Sequence, residues 1–329
     1  MTLARSSPAV NRRPLPRPDR WHRPLIGLAL GMTVLALACL VLAVTDPREI
    51  LGQNAWFKPL KFALSIGIYS VSLAWLIGQA HRLRRLADGL GTVIVIALLV
   101  EMVIIAGAAA FGTTSHFNVA TPLHAALWSA MGVSIVLVWV ASLAVGVVVV
   151  LNPGPDAARN LAVRAAVVLA LIGMGLAFLM TTPNDQQLAD FQGVAGAHAV
   201  GVADGGAGLP FLGWSTQGGD LRIPHFLGMH ALQAIPLGLL GLELLSRGAP
   251  VLRGVRVRFR LVLIGSVAFA AMITVLAWQA LSGESIVHPS GPVLAAGAVI
   301  ALGTAAAAIA VLLIERRSLR SRARSGPGL

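Results

Sequence analysis

Cysteine is nearly absent: Cys39 stands alone, so no intrachain disulfide can form and no CxxC metal site exists. Charge is scarce as well, at 12% of 329 residues against roughly 25% in an ordinary soluble domain. That shortage, beside a hydrophobic fraction of 57%, excludes a soluble enzyme, a disordered chain and a disulfide-stapled secreted domain. Lysine is confined to Lys58 and Lys61, and the other cations are arginine. Together with abundant Ala, Gly and Val, this points to a GC-rich bacterial genome. The catalytic spacings HExxH and GxSxG are missing. The glycines of the central region match neither a Walker loop nor a dinucleotide fingerprint. No internal repeat is visible.

What the chain has instead is apolar length. A membrane span needs about 20 mostly apolar residues, and eight stretches qualify: 25–45, 59–79, 89–111, 123–150, 161–182, 224–246, 261–281 and 292–314. Their all-round apolarity marks lipid-solvated helices rather than amphipathic ones. The expected fold is therefore all-α, a polytopic bundle of eight transmembrane helices. Arginine-rich tails at 1–24 and 315–329 flank the membrane domain 25–314, and one long connection spans 183–223. The first span is too long for a cleaved signal and reads as a retained signal-anchor.

Of the 25 cations, all but four fall in the tails and the alternate connections 2–3, 4–5 and 6–7. The exceptions are Arg48, Lys58, Lys61 and Arg222. By the positive-inside rule this places both termini in the cytoplasm of a bacterial inner membrane, with the bilayer as partner. The net charge of +12 is thus a topology signal, and nucleic acid is not an expected partner.

That orientation gathers the remaining polar residues on the outer side. His116, His124, His198, His225, His230 and His288 fall there, with Asp46, Glu49, Asp185, Asp190, Asp204, Asp220 and Glu284. Imidazole suits Zn, Cu and Fe, including haem iron, so His116, His124, His225 and His230 are candidate ligands for haem or a transition metal. His225 and His230 lie about 140° apart on a regular helix and cannot serve one ion together. Gln233 shares the His230 face and is the expected pocket partner. His198 and His288, in loops, read as solvated.

Glu101 lies near the middle of the third span. A carboxylate there is costly in lipid, so it should face the bundle interior as a proton relay or buried acid. Lys58, Lys61 and Arg222, with Asn54 and Asn118, are candidate contacts for an anion such as a lipid phosphate, a carboxylate or a haem propionate. The long 183–223 connection exceeds the usual inter-helix length and is expected to form a lid or site wall.

The foremost functional expectation is a haem- or metal-binding, redox-related membrane protein with an outward-facing His-rich pocket for a small-molecule, haem or ion ligand. One alternative is a transporter or channel with Glu101 and His230 lining a conduit. Another is a metal-dependent hydrolase acting on a lipid. The Ser115-His116 and His225-x4-His230 spacings differ from the Ser-x3-His and His-x3-His of membrane zinc hydrolases, and the Arg-flanked histidine motifs of haem A synthases are missing.

Overall fold

Proline and a short polar side chain start several of the helices. His22 accepts the Leu25 amide and Pro24 occupies the first turn of α1 (Arg23–Thr45), where a missing N–H costs nothing. Thr121 and Pro122 do the same for α4 (Pro122–Val150), and Asp156 accepts two amides to open α5 (Ala157–Leu176). The computed structural model describes residues 18–324, with side chains described through residue 321. Tail residues Arg5, Arg12, Arg13 and Arg17 lie outside that range, as do the side chains of Arg322 and Arg324.

The remaining helices are α2 (Phe57–Gln79), α3 (Arg84–Ala110), the short α6 (Asp185–Ala189), α7 (Arg222–Met229), α8 (Ala231–Leu245), α9 (Val255–Leu281) and α10 (Gly291–Arg324). Two-residue strands form two small antiparallel ladders: β1 (Glu49–Ile50) with β2 (Gln53–Asn54), and β3 (Ala199–Val200) with β4 (Gly219–Asp220). The chain is an all-α, multi-pass membrane bundle. Among the described residues, seven helices are long and apolar enough to cross a bilayer, and eight spans result if the bent pair α7–α8 counts as one.

α1 packs on α2 and α3 on α4, while α5 sits against α7, α8 and α9; α10 packs on α9. The interior is mostly apolar, with Leu25, Leu60, Ile77, Ile94, Ile105, Met131 and Val138 fully buried. At the arginine-rich end, polar side chains lock the connections. Asn152 accepts the His81 and Arg82 amides, Arg159 pairs with Glu243 at 2.8 Å, and His22 donates to the Asp88 carbonyl.

Several boundaries differ from expectation: α3, α5 and α9 start at 84, 157 and 255 rather than 89, 161 and 261, and two further departures alter the shape of the bundle. The sixth span is not one regular helix: it bends by 45° at His230, six residues before Pro236. The eighth helix continues ten residues past 314, because the arginine-rich segment that follows can extend a helix into water.

Gly173 and Gly228 explain the path of α7. A Cβ at either position would collide with the backbone of the other, so only glycine lets α5 and α7 cross so closely. Just beyond, α5 tightens into a 3-10 turn (Ala177–Met180). The Ala177 amide then bonds Met174 and Gly175, and the Gly173 carbonyl is left for His225.

Candidate functional site

The long connection is a folded cap. Asn184 and Gln187 form a reciprocal capping box that starts α6, and Gln187 also clasps both the amide and the carbonyl of Gly196. Val194 bridges to Asn118 in the α3–α4 connection. Phe117, in left-handed backbone, packs beneath the cap against Met180, Leu221 and Ala280. Two aspartates organise the rest. Asp204 accepts the amides of His198 and Ala199 and the His198 Nδ1–H, the last at 2.7 Å. Asp220, 1% exposed, accepts the Ser215 and Arg222 amides and a bidentate guanidinium from Arg222, at 2.9 and 2.6 Å.

Under the cap sits an aromatic-walled pair of imidazoles. The His116 ring lies 6.5 Å from that of His198, with Phe62, Phe117 and Trp128 around it at 5.5–6.0 Å. Ser115 Oγ holds His116 Nδ1 at 2.9 Å, and Asp204 holds His198 Nδ1. Burial keeps the His116 pKa well below the usual value, and the charges of Lys58 and His198 act in the same direction. His198 is also lowered, first by burial and then by Arg222 and Lys58, against the opposing pull of Asp204. Both rings are neutral at pH 7. Burial alone would raise Asp204, but its imidazole and amide donors outweigh that and hold it below the ordinary carboxylate range.

Beside the pair, Lys58, Lys61 and Arg222 lie within electrostatic reach of one another. Lys61 donates to the Leu212 carbonyl at 2.8 Å and to Gln53 at 3.4 Å, and Arg222 is bound to Asp220. Lys58 has charge contact with Asp204 and Glu101 but makes no hydrogen bond or ion pair among the described residues. Glu101, 5% exposed, likewise has no hydrogen-bond partner among the described residues, and Lys58 is the charge that reaches it.

The four histidines named as ligands do not share a site. His116 meets His198 instead. His124 bonds Thr121 in the first turn of α4. His225 donates to the Gly173 carbonyl at 2.8 Å and so fastens α7 to α5. His230, at the bend, donates to Gln233, whose amide reaches Ser72 on α2; Nε2 of His230 is buried and unpartnered. No group of three or more His, Cys, Asp or Glu among the described residues is arranged to hold a metal ion.

Asn54 and Asn118 also differ from the anion contacts expected of them. Asn54 ties the Ala43 and Asp46 carbonyls and the Trp56 amide, and Asn118 caps the Ala120 amide. Their amide groups are spent on turns. The residues the sequence reading undervalued are His198, Asp204 and Asp220. The signal for them was an acid six residues after a loop histidine, and an acid two residues before the lone arginine of that connection. No family model, characterised protein or solved structure matches the chain.

Proposed function

We propose that this is a protein of the bacterial cytoplasmic membrane, with both termini cytoplasmic, that receives an anionic ligand at an outward-facing site formed by Lys58, Lys61 and Arg222. One observation carries the reading. Three cations sit together, half-buried, against two ionised carboxylates: Asp220 pairs with Arg222 and Asp204 bonds the neutral His198, so Lys58 has no hydrogen-bonded counter-ion of its own. Like charges drawn out of water repel, and an incoming phosphate or carboxylate relieves that repulsion. Lys58, with three free N–H donors, is the group that makes the first contact. The neutral imidazoles of His116 and His198, and Glu101 beyond Lys58, are placed to accept or supply a proton as the anion enters.

The test uses the purified full chain in a neutral detergent at constant ionic strength. Inorganic phosphate and octyl phosphate should raise the unfolding temperature over chloride, and Lys58→Gln should abolish the gain. No difference from chloride in the wild-type chain overturns the reading. Reporter fusions address orientation: those after Arg85, Pro155 and Arg253 should read cytoplasmic, and those at Asn118 and Gly206 extracytoplasmic.

A haem- or metal-binding reading retains support from the His116–His198 pair. Each ring has its Nδ1 held by an orienting oxygen, the arrangement in which the opposite nitrogen serves a metal. The visible spectrum and metal content of the purified protein test it. For transport through a conduit, the Gln233–Ser72 contact supplies polar groups to mid-helix. Below it α2 presents buried Leu73, Leu76 and Ile77, which favours a site open to one side only.

A further inference from the structure

The tip of the cap is a hairpin, residues 208–215, that lies on cations of the anion site. It is closed on itself: Gly208 bridges Ser215, the Leu209 amide bonds the Trp214 carbonyl at 2.8 Å, and the Gly213 amide bonds the Leu209 carbonyl at 2.8 Å. Among the described residues the Leu212 and Gly213 carbonyls take no backbone partner, and side-chain cations take them instead. Lys61 donates to Leu212 at 2.8 Å, while Arg222 divides Nη2 between the Asp220 carboxylate and Gly213. Phe211 sets its ring edge-on to Phe57 at 5.4 Å and 5.9 Å from the Lys61 ammonium. Trp214 meets Phe226 at 5.7 Å. These partners all belong to α2 and α7, the helices that carry the cations.

Neutral carbonyls are incomplete counterparts for such groups. A carbonyl dipole satisfies an N–H but leaves the positive charge in place, whereas a phosphate or carboxylate oxygen bonds the same N–H and cancels the charge. The docked tip also holds Phe211 in left-handed backbone, at φ 62°, a region that disfavours any residue with a Cβ. In water the two carbonyls would be solvated and that backbone could relax. The stem below is anchored independently: the Ser215 amide bonds the buried Asp220 carboxylate at 2.8 Å, and the Thr216 amide bonds the Ala207 carbonyl at 3.0 Å. What the cations hold is the tip, 209–213.

We propose that the 208–215 hairpin is a latch on the anion site: its Leu212 and Gly213 carbonyls stand where anion oxygens would bind Lys61 and Arg222, and an anion that takes those donors releases the tip. The inference rests on the anion site proposed above and adds its regulation. The closed form described here is the ligand-free one, in which the protein supplies its own acceptors. Arg222 keeps its bidentate bond to Asp220 in both forms, so the stem stays in place while the tip moves.

The experiment uses the full chain in neutral detergent, with inorganic phosphate replacing chloride at constant ionic strength. Hydrogen exchange across 208–214 should quicken when phosphate binds, because a two-stranded hairpin without its dock is marginal in water. Exchange across α6 should not change. Two variants loosen the latch without touching a cation. Phe211→Ala removes the ring from Phe57 and Lys61; Phe211 is 38% exposed, so the change hollows no core. Gly213→Ala puts a methyl group against the Gln53 amide, which itself holds Lys61, at a left-handed φ of 68°. Titrating the unfolding temperature with phosphate should show both variants binding more tightly, by about tenfold if the wild-type tip is closed about nine-tenths of the time. Removing contacts then raises affinity, which a purely structural hairpin would not do. Unchanged or weaker binding in both variants, or slower exchange of the tip with phosphate, overturns the latch and leaves the anion site standing. No stabilisation of the wild-type chain by phosphate overturns both.

Discussion

α2 and α10 are both long enough to cross a membrane, and they occupy opposite positions in the bundle. α2 is the least apolar of the seven long helices, yet half of its most apolar stretch is buried; α10 is more apolar, and none of its corresponding stretch is buried. In water the order would be reversed. In lipid, apolar side chains gain nothing by leaving solvent, so the helix that must be shielded is the one with Lys58, Lys61, Tyr69 and Ser72 on it. The polar content of a span, more than its hydropathy, marks where the site lies.

The largest expected effect breaks this contrast at the ion pair above α2. Arg222→Leu leaves the Asp220 carboxylate buried without its guanidinium, and loss of one partner of such a pair costs about 3–5 kcal/mol. Arg316→Leu on the exposed surface of α10 should change stability by no more than about 0.5 kcal/mol. Unfolding of the two variants in the same detergent makes the comparison, and equal losses would remove the structural role given to Asp220.

Glycine sharpens the same contrast. Gly173→Ala drives a methyl group into the α7 backbone at Gly228 and should destabilise by about 1–3 kcal/mol, the range of overpacked cores. Gly303→Ala on α10 meets nothing within 4 Å and should be near neutral. Thermal unfolding of the pair reads the difference, and a silent Gly173→Ala would show that the two helices do not cross there.

A smaller, reversible effect should come from pH. The pKa values of His116 and His198 are lowered in the folded state, so the unfolded chain binds more protons as the pH falls below about 6.5. Stability of the cap therefore rises with pH through that window and is lost on acidification. Asp204, also lowered, adds a loss in the same direction below about pH 4. Hydrogen exchange across 193–204 should quicken from pH 7 to pH 5.5 after correction for the intrinsic rate, whereas α10 should not respond. The smallest change is Thr121→Ala, which removes the α4 cap and costs about 1 kcal/mol; it should leave phosphate binding untouched.

Much of the architecture was legible because lipid imposes a simple rule. An uninterrupted apolar run must satisfy its backbone internally, and helices do that within one segment. The run of apolar spans, the burial of Glu101 and the i, i+3 contact of His230 with Gln233 all follow from spacing within one stretch of chain. The paired imidazoles were not legible. His116 and His198 come from two connections 82 residues apart, brought together by the Asn118–Val194 bridge and by the glycines that let the cap lie close to Phe117. His225 looked like a ligand and became a strut, because a 3-10 turn in another helix freed one carbonyl. Composition and spacing thus determined that the chain is an all-α membrane bundle of seven or eight apolar helices, and which end holds its polar residues, since each is a local property of one segment. Which histidines meet and which lysine is left without a partner were decided by tertiary packing, since each depends on the distance between segments that no single stretch of sequence contains.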